Sequence, residues 1–317
     1  MSGKLIKEYL LTSVFLVLLT LGSLLPFTVL RFLCEALTIA LFGYTATKFH
    51  YGYVACAGAL IVATLLLMAQ DLILAVYLAL PIVLCGLTLG ICKNLSRSPL
   101  AALSGMTVIR TLSMTASVKL AGTAENGQNI FEEALLESGE MYKTALSTAY
   151  GTTLSETEIN GIISETISAV TALIPSAMIL FSIAISVLCF YLFKRICMMK
   201  KEDVSMLLPF SEWRAERGIG ILFFLLLLLE LFLPENTLIR AALLNVSVVV
   251  VFVFYLFGLS MLEHILKKRV EKSFTRKLIL IGVSFVAFLM FGLPFFGIAI
   301  MGAADAILDL RQRKENR

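Results

Sequence analysis

Long apolar runs, uninterrupted by alternation, dominate this chain. The stretch 169–193 has no charged residue, and 241–262 contains Asn245, Ser247 and Ser260 but no charge. About 20 apolar residues in a helix cross a hydrocarbon core roughly 30 Å thick. Backbone amides in lipid must be satisfied within the segment, which makes such runs helical. Barrel strands would alternate apolar and polar positions, and these runs do not. The fold class read from this pattern is all-α: a polytopic integral membrane helical bundle of about eight to ten segments. Spans are expected near 9–24, 25–42, 52–69, 71–92, 99–119, 169–193, 218–233, 239–262, 278–291 and 293–309. The first run follows Lys4 and Lys7, as a signal peptide would, but no small-x-small cleavage site follows it, so it is read as the first transmembrane helix. Two places are open to more than one reading. The first two spans meet at Leu25-Pro26, and 278–309 is too long for one straight crossing, with Gly292 and Pro294 where a break is needed. A terminal hairpin is the preferred reading.

Basic residues fall on one set of connections: Lys4, Lys7, Lys48, Lys93, Arg97, Lys194, Arg195, Lys200, Lys201, Arg214, Arg217, the run from Lys267 to Lys277, and the tail Arg311, Arg313, Lys314, Arg317. The positive-inside rule puts these, and both termini, in the cytoplasm of a plasma-membrane protein. The longest connection, 120–168, lies on the other side and holds eight Glu against one Lys. Its apolar residues recur at helical spacing, and Ser155 with Glu158 reads as a capping box whose helix can run directly into the span at Ala169. The expected division is a transmembrane bundle over 1–119, an acidic extracytoplasmic helical segment over 120–168, and a second bundle with basic loops and tail over 169–317.

Composition sharpens this. The chain of 317 residues is 59% hydrophobic and only 15% charged, against roughly 25% charged in a soluble domain. Its six cysteines, Cys34, Cys56, Cys85, Cys92, Cys189 and Cys197, all lie in or beside apolar runs without a CxxC pair, so they read as packing side chains. No HExxH, Walker A, GxSxG or GxGxxG motif occurs. No metal, no cofactor and no nucleic-acid partner is expected, and the chain is not read as an enzyme. The lipid bilayer is the expected partner; a small-molecule solute and another membrane protein are two further partners the pattern allows.

Ionisable groups inside spans are costly and so mark functional candidates. Arg31 and Glu35 lie four apart in the second span and are placed for a local ion pair. Arg110 lies mid-span in the fifth, among Thr107, Thr111, Ser113, Thr115 and Ser117, a span polar enough to face the bundle interior or water. These three, Arg31, Glu35 and Arg110, are the candidate ligand-binding residues. Glu230 and Arg240 are placed to pair across the short Pro234 connection. Trp213, the single Trp, is read as an interfacial anchor, and Ser211 as the cap of its helix. His50 and His264 read as interfacial residues. Asp305 and Asp309 have the spacing of a carboxylate pair, and Asp309 with Arg313 that of a helix ion pair. Gly86 and Gly90 form a small face for helix packing.

Three stretches carry a resemblance: Leu25-Pro26-Phe27, Pro209-Phe210-Ser211-Glu212-Trp213-Arg214, and the closing run Gly302-Ala303-Ala304-Asp305-Ala306-Ile307-Leu308-Asp309-Leu310-Arg311. With the order of spans, they resemble the YybS-like bacterial membrane proteins, a domain of unknown function (2232). The first half of such proteins is similar to the substrate-binding S-components of energy-coupling-factor transporters. That resemblance implies a helical bundle with a small-molecule pocket opening outward. One departure is that 12–20 lacks the small-residue face that S-components present to their transport machinery. Three functions follow as expectations: a transporter-like small-solute-binding membrane subunit, a non-catalytic envelope assembly or scaffold protein, and, with least support, a lipid-modifying enzyme.

Overall fold

The structure is a computed structural model describing residues 3–25, 28–95, 99–121, 130–150, 155–202, 210–234, 238–290 and 292–313. Phe27, Arg97, Pro209 and the residues around Glu125 lie outside these. The described residues are helical apart from their connections, so the all-α expectation holds. Among the described residues, six helices are long and apolar enough to cross a membrane. The chain separates into two compact units, one formed by Met1–Ser155 with Phe181–Leu207, the other by Glu156–Leu180 with Leu208–Arg317. These do not follow the boundaries expected at 119 and 168. The acidic segment does not stand apart, because its second helix continues without interruption as α7 (Glu156–Met199), whose 44 residues are divided between the units. At about 1.5 Å per residue this helix exceeds the hydrocarbon thickness.

The first unit contains α1 (Gly3–Gly22), α2 (Thr28–Lys48), α3 (Tyr51–Ala69), α4 (Leu72–Asn94), α5 (Pro99–Ala121), α6 (Ile130–Tyr150) and the later part of α7. The first two spans are thus separate helices. Local chemistry sets the turns. Asp71 caps α4 by accepting the N–H groups of Ile73 at 2.7 Å and Leu74 at 3.2 Å. His50 accepts the Gly52 N–H at the start of α3, a capping role. α1 packs on α2 and α3, and α4 on α2, α3 and α5. The α2–α4 contact is close because of the expected small face: Gly86 leaves room for Phe42 and the Ile39 carbonyl, and Gly90 for Ala46 and the Gly43 carbonyl. Leu16, Ile39, Phe42, Ile61, Leu65, Leu89, Met106 and Phe193 fill the interior, with Cys85, Cys189 and Cys197 among them as packing residues.

One end of this unit is tied by ions. Glu8 of α1 accepts hydrogen bonds from Tyr44 at 2.9 Å, Lys48 at 3.1 Å and Lys200 at 3.0 Å, and Lys93 pairs with Glu202.

The second unit contains the earlier part of α7, a 3-10 turn at Phe210–Glu212, α8 (Arg217–Phe232), α9 (Leu238–Arg269), α10 (Ser273–Leu289), α11 (Leu293–Leu308) and the short α12 (Leu310–Arg313). The closing apolar stretch is two helices, broken where Gly292 adopts φ 148° and Pro294 opens α11. α9 and α11 approach so closely that a Cβ on Gly258 or Gly302 would run into the partner's backbone. Phe223, Phe254, Tyr255 and Phe295 pack there, the last two stacked at 4.3 Å.

Within α7, Pro175 interrupts the helix ladder, and Asn245 of α9 supplies a repair. Its amide oxygen accepts the Ser176 N–H at 2.9 Å, and its nitrogen donates to the Ala172 carbonyl at 2.7 Å. These are the two groups that an unbroken helix pairs with each other, and an inserted side chain at such a point is a recognised cause of helix bending.

Candidate functional site

The first unit holds a cavity of about 190 Å³. Its walls come from the turn after α1 (Ser23, Leu24), from α2 (Arg31, Phe32, Glu35), α3 (Leu65), α4 (Tyr77, Leu78, Pro81, Ile82), α5 (Arg110, Ser113, Met114, Ser117) and α7 (Phe181). The three candidate binding residues therefore meet on one cavity. In α2, Arg31 and Glu35 are one turn apart on one face. In α5, Arg110, Ser113 and Ser117 also share a face, at i, i+3 and i+7.

The pairing differs from the local expectation. Glu35 bonds Arg110 across helices, from Nη1 to Oε1 at 2.7 Å, rather than Arg31. The Arg110 side chain is 6% exposed and that of Glu35 16%. A charge buried that deeply without a partner costs several kcal/mol, whereas Arg31 is exposed and can be solvated. Glu35 therefore satisfies the group that has no other recourse. The Arg110 Nε is buried without a hydrogen-bond partner, as is the Thr111 hydroxyl, so the guanidinium is not saturated by Glu35.

Polar groups on α4 complete the wall. Tyr77 donates its hydroxyl hydrogen to the Ser113 carbonyl at 2.5 Å and also meets the Ser117 hydroxyl. Pro81, one turn on, has no N–H, so the Tyr77 carbonyl loses the donor of an ordinary helix. The opposite side is apolar. Phe32 and Phe181 meet edge to face at 4.8 Å, beside Leu65 and Met114. Tyr77, Phe32, Phe181 and Ser23 were not among the sequence candidates. For Tyr77 a signal was present, in its spacing of four from Pro81, since a proline in a span frees a carbonyl that must find a use.

The second unit brings together two stretches that stood out in the sequence. The Asp309 backbone is left-handed, at φ 49° and ψ 51°, ending α11. This reversal lets Arg311 fold back. Its Nε donates to Asp305 Oδ2 at 2.7 Å, Nη1 to the Ser211 carbonyl at 2.6 Å, and Nη2 to the Trp213 carbonyl at 2.9 Å. Ser260 donates to the Phe210 and Trp213 carbonyls. Both Asp305 and Arg311 are buried.

One expectation, the Asp305–Asp309 carboxylate pair, is corrected here. Asp305 and Asp309 do not act as one carboxylate pair, because each is taken by an arginine; Asp309 pairs with Arg214 at 2.8 Å. The Arg313 side chain lies outside the described residues. Ser211 serves the Arg311 site through its carbonyl, in a 3-10 turn. Trp213 is half-buried, packs edge to face on Phe210 at 5.5 Å, and offers its carbonyl to Arg311. The pair expected between Glu230 and Arg240 is not among the described ion pairs. Arg240, in the first turn of α9, has an interaction of its own. Among the described residues no cluster of His, Cys, Asp and Glu has the make-up of a metal site.

No curated protein and no solved structure matches the chain. A family described as "Predicted membrane protein (DUF2232)" matches residues 13–305. That match takes in nearly all of both units, from α1 to the buried Asp305, and the chain belongs to the DUF2232 family of predicted multi-pass membrane proteins.

Proposed function

We propose that this protein is a transporter-like membrane subunit that binds a small solute in the cavity of its first unit. The observation that carries the reading is the meeting of Arg31, Glu35 and Arg110, from two different helices, on one cavity. Scattered charges, each neutralised locally, would serve only packing. Here, among the described residues, Arg31 stands without an ion-pair partner beside hydroxyls and an aromatic wall, which is the make-up of a ligand pocket.

The cavity's position supports an outward opening. It lies at the end of α1, the start of α2, the start of α4 and the later part of α5. The ion-tied end with Glu8, Lys48, Lys93 and Lys200 is at the opposite ends of those helices. The positive-inside rule places the basic end in the bacterial cytoplasm and the cavity toward the extracytoplasmic face. The S-component resemblance of the first half agrees with this arrangement.

The test is the set of small molecules extracted from the purified protein, read by mass spectrometry. The comparison is with a variant carrying Glu35→Leu and Arg110→Leu together. Removing both charges keeps the fold, because a buried pair replaced by apolar residues is often near neutral in stability. The native chain should retain a species that the double variant lacks, and identical profiles would contradict the reading.

A second reading, an assembly scaffold, draws on α6, where Glu137 and Glu140 are exposed. Site-specific crosslinking from Glu140 should then capture one protein partner reproducibly.

A further inference from the structure

We propose that the cavity selects a small monoanion, a carboxylate on a flat apolar body, and that Arg31 is the residue that receives it. This rests on the solute-binding reading of the same cavity and specifies its ligand class.

The charge balance comes first. Among the described residues, the charged side chains lining the cavity are Arg31, Glu35 and Arg110. Glu35 and Arg110 neutralise each other at 2.7 Å. Arg31 makes no ion pair among the described residues and stays exposed at the wall. The surplus is therefore a single positive charge, which a monoanion matches. A cation meets repulsion, and a dianion is left half compensated. In a partly desolvated space that mismatch counts for much more than in water.

Geometry narrows the class. A guanidinium presents a planar fork that matches a carboxylate with two parallel hydrogen bonds. Arg31 stands one helical turn from Glu35, so an anion on Arg31 lies near the Glu35–Arg110 pair. Arg110 has donor capacity to spare, since its Nε is buried without an acceptor. A ligand oxygen that draws Arg110 into a second bond would relieve that deficit. The hydroxyl of Tyr77 is already committed to α5, so it shapes the pocket rather than carrying the anion. Phe32 and Phe181 suit a flat apolar body. The volume, about 190 Å³, lies below the common range of roughly 300–1,000 Å³ for ligand pockets, which suits a small solute.

The test uses full-length purified protein and a matched panel: small aromatic and aliphatic carboxylates such as benzoate, their primary amides, and the corresponding amines. Thermal stabilisation and equilibrium binding are read for the native chain and for Arg31→Gln. At least one carboxylate should bind, with its amide and amine weaker by about tenfold or more, the scale of a charge-assisted hydrogen bond. Arg31→Gln should remove that preference while leaving the melting temperature without ligand unchanged, because Arg31 is exposed and makes no ion pair among the described residues. Amides or amines binding as well as carboxylates, or a preference unaltered in Arg31→Gln, would overturn the ligand class and leave solute binding standing. No member binding would overturn both. A parallel arm adds phosphatidylglycerol. If this lipid displaces benzoate through Arg31 and itself binds far more tightly, the anion is a lipid headgroup, and the soluble-carboxylate assignment fails.

Discussion

Asp305→Ala should destabilise the second unit by about 3–5 kcal/mol, the cost of removing one member of a buried ion pair. Arg311 is 8% exposed and Asp305 2%, so after the substitution the guanidinium would stay buried with only carbonyls and the Ser260 hydroxyl as partners. The loss should spread beyond the pair. Arg311 holds the turn carrying Ser211 and Trp213, and the same turn is pinned by Ser260 of α9. Thermal unfolding followed by tryptophan fluorescence reads this directly, since Trp213 is the single Trp and its carbonyl is part of the site. A fall in melting temperature of several degrees, with an early change in Trp213 emission, is expected. Arg214→Ala removes only a half-exposed pair with Asp309 and should cost no more than about 1 kcal/mol.

The second large effect concerns the cavity. Arg110→Leu alone should cost about 3–5 kcal/mol, because Glu35 is left mostly buried without its cation. Glu35→Leu alone should cost a comparable amount, by stranding the more deeply buried Arg110. The two together should recover most of that loss, as each removes the other's unpaired charge. Stability of the four proteins in detergent, measured by thermal or denaturant unfolding, closes the cycle. Recovery of stability without recovery of binding would separate the structural role of the pair from its role in the pocket.

These two sites mark how far local sequence logic reaches. The helices were legible because apolar runs in lipid have one economical backbone solution, and the uninterrupted passage of the acidic segment into α7 followed from the capping pattern at Ser155 and the helical spacing after it. The break before α11 was legible from Gly292 and Pro294. Partner choice was not. Arg31 and Glu35 are four apart, and spacing alone pairs them. Burial decides otherwise, since Arg110 has no water to fall back on and Arg31 does. The partner of Asp309 was hidden too: Arg214 is 95 positions away in sequence, and only the fold brings the two within 2.8 Å. Gly258 and Gly302 are 44 positions apart in sequence, and only packing reveals that each makes room for the other's helix. The membership of the cavity was half visible. Its charges announced themselves by their cost, while Phe32 and Phe181 are indistinguishable in sequence from lipid-facing aromatics.

The central claim is that Arg31, Glu35 and Arg110 line a water-accessible cavity open to the extracytoplasmic side. The most direct measurement is labelling of Ser113→Cys by a membrane-impermeant maleimide added to intact cells, with the native chain, which keeps its own six cysteines, as the background. The account predicts labelling from outside at Ser113→Cys above that background, slowed by a small carboxylate that occupies the cavity. Labelling only after the membrane is opened to the cytoplasmic side, or none from either side, would contradict it.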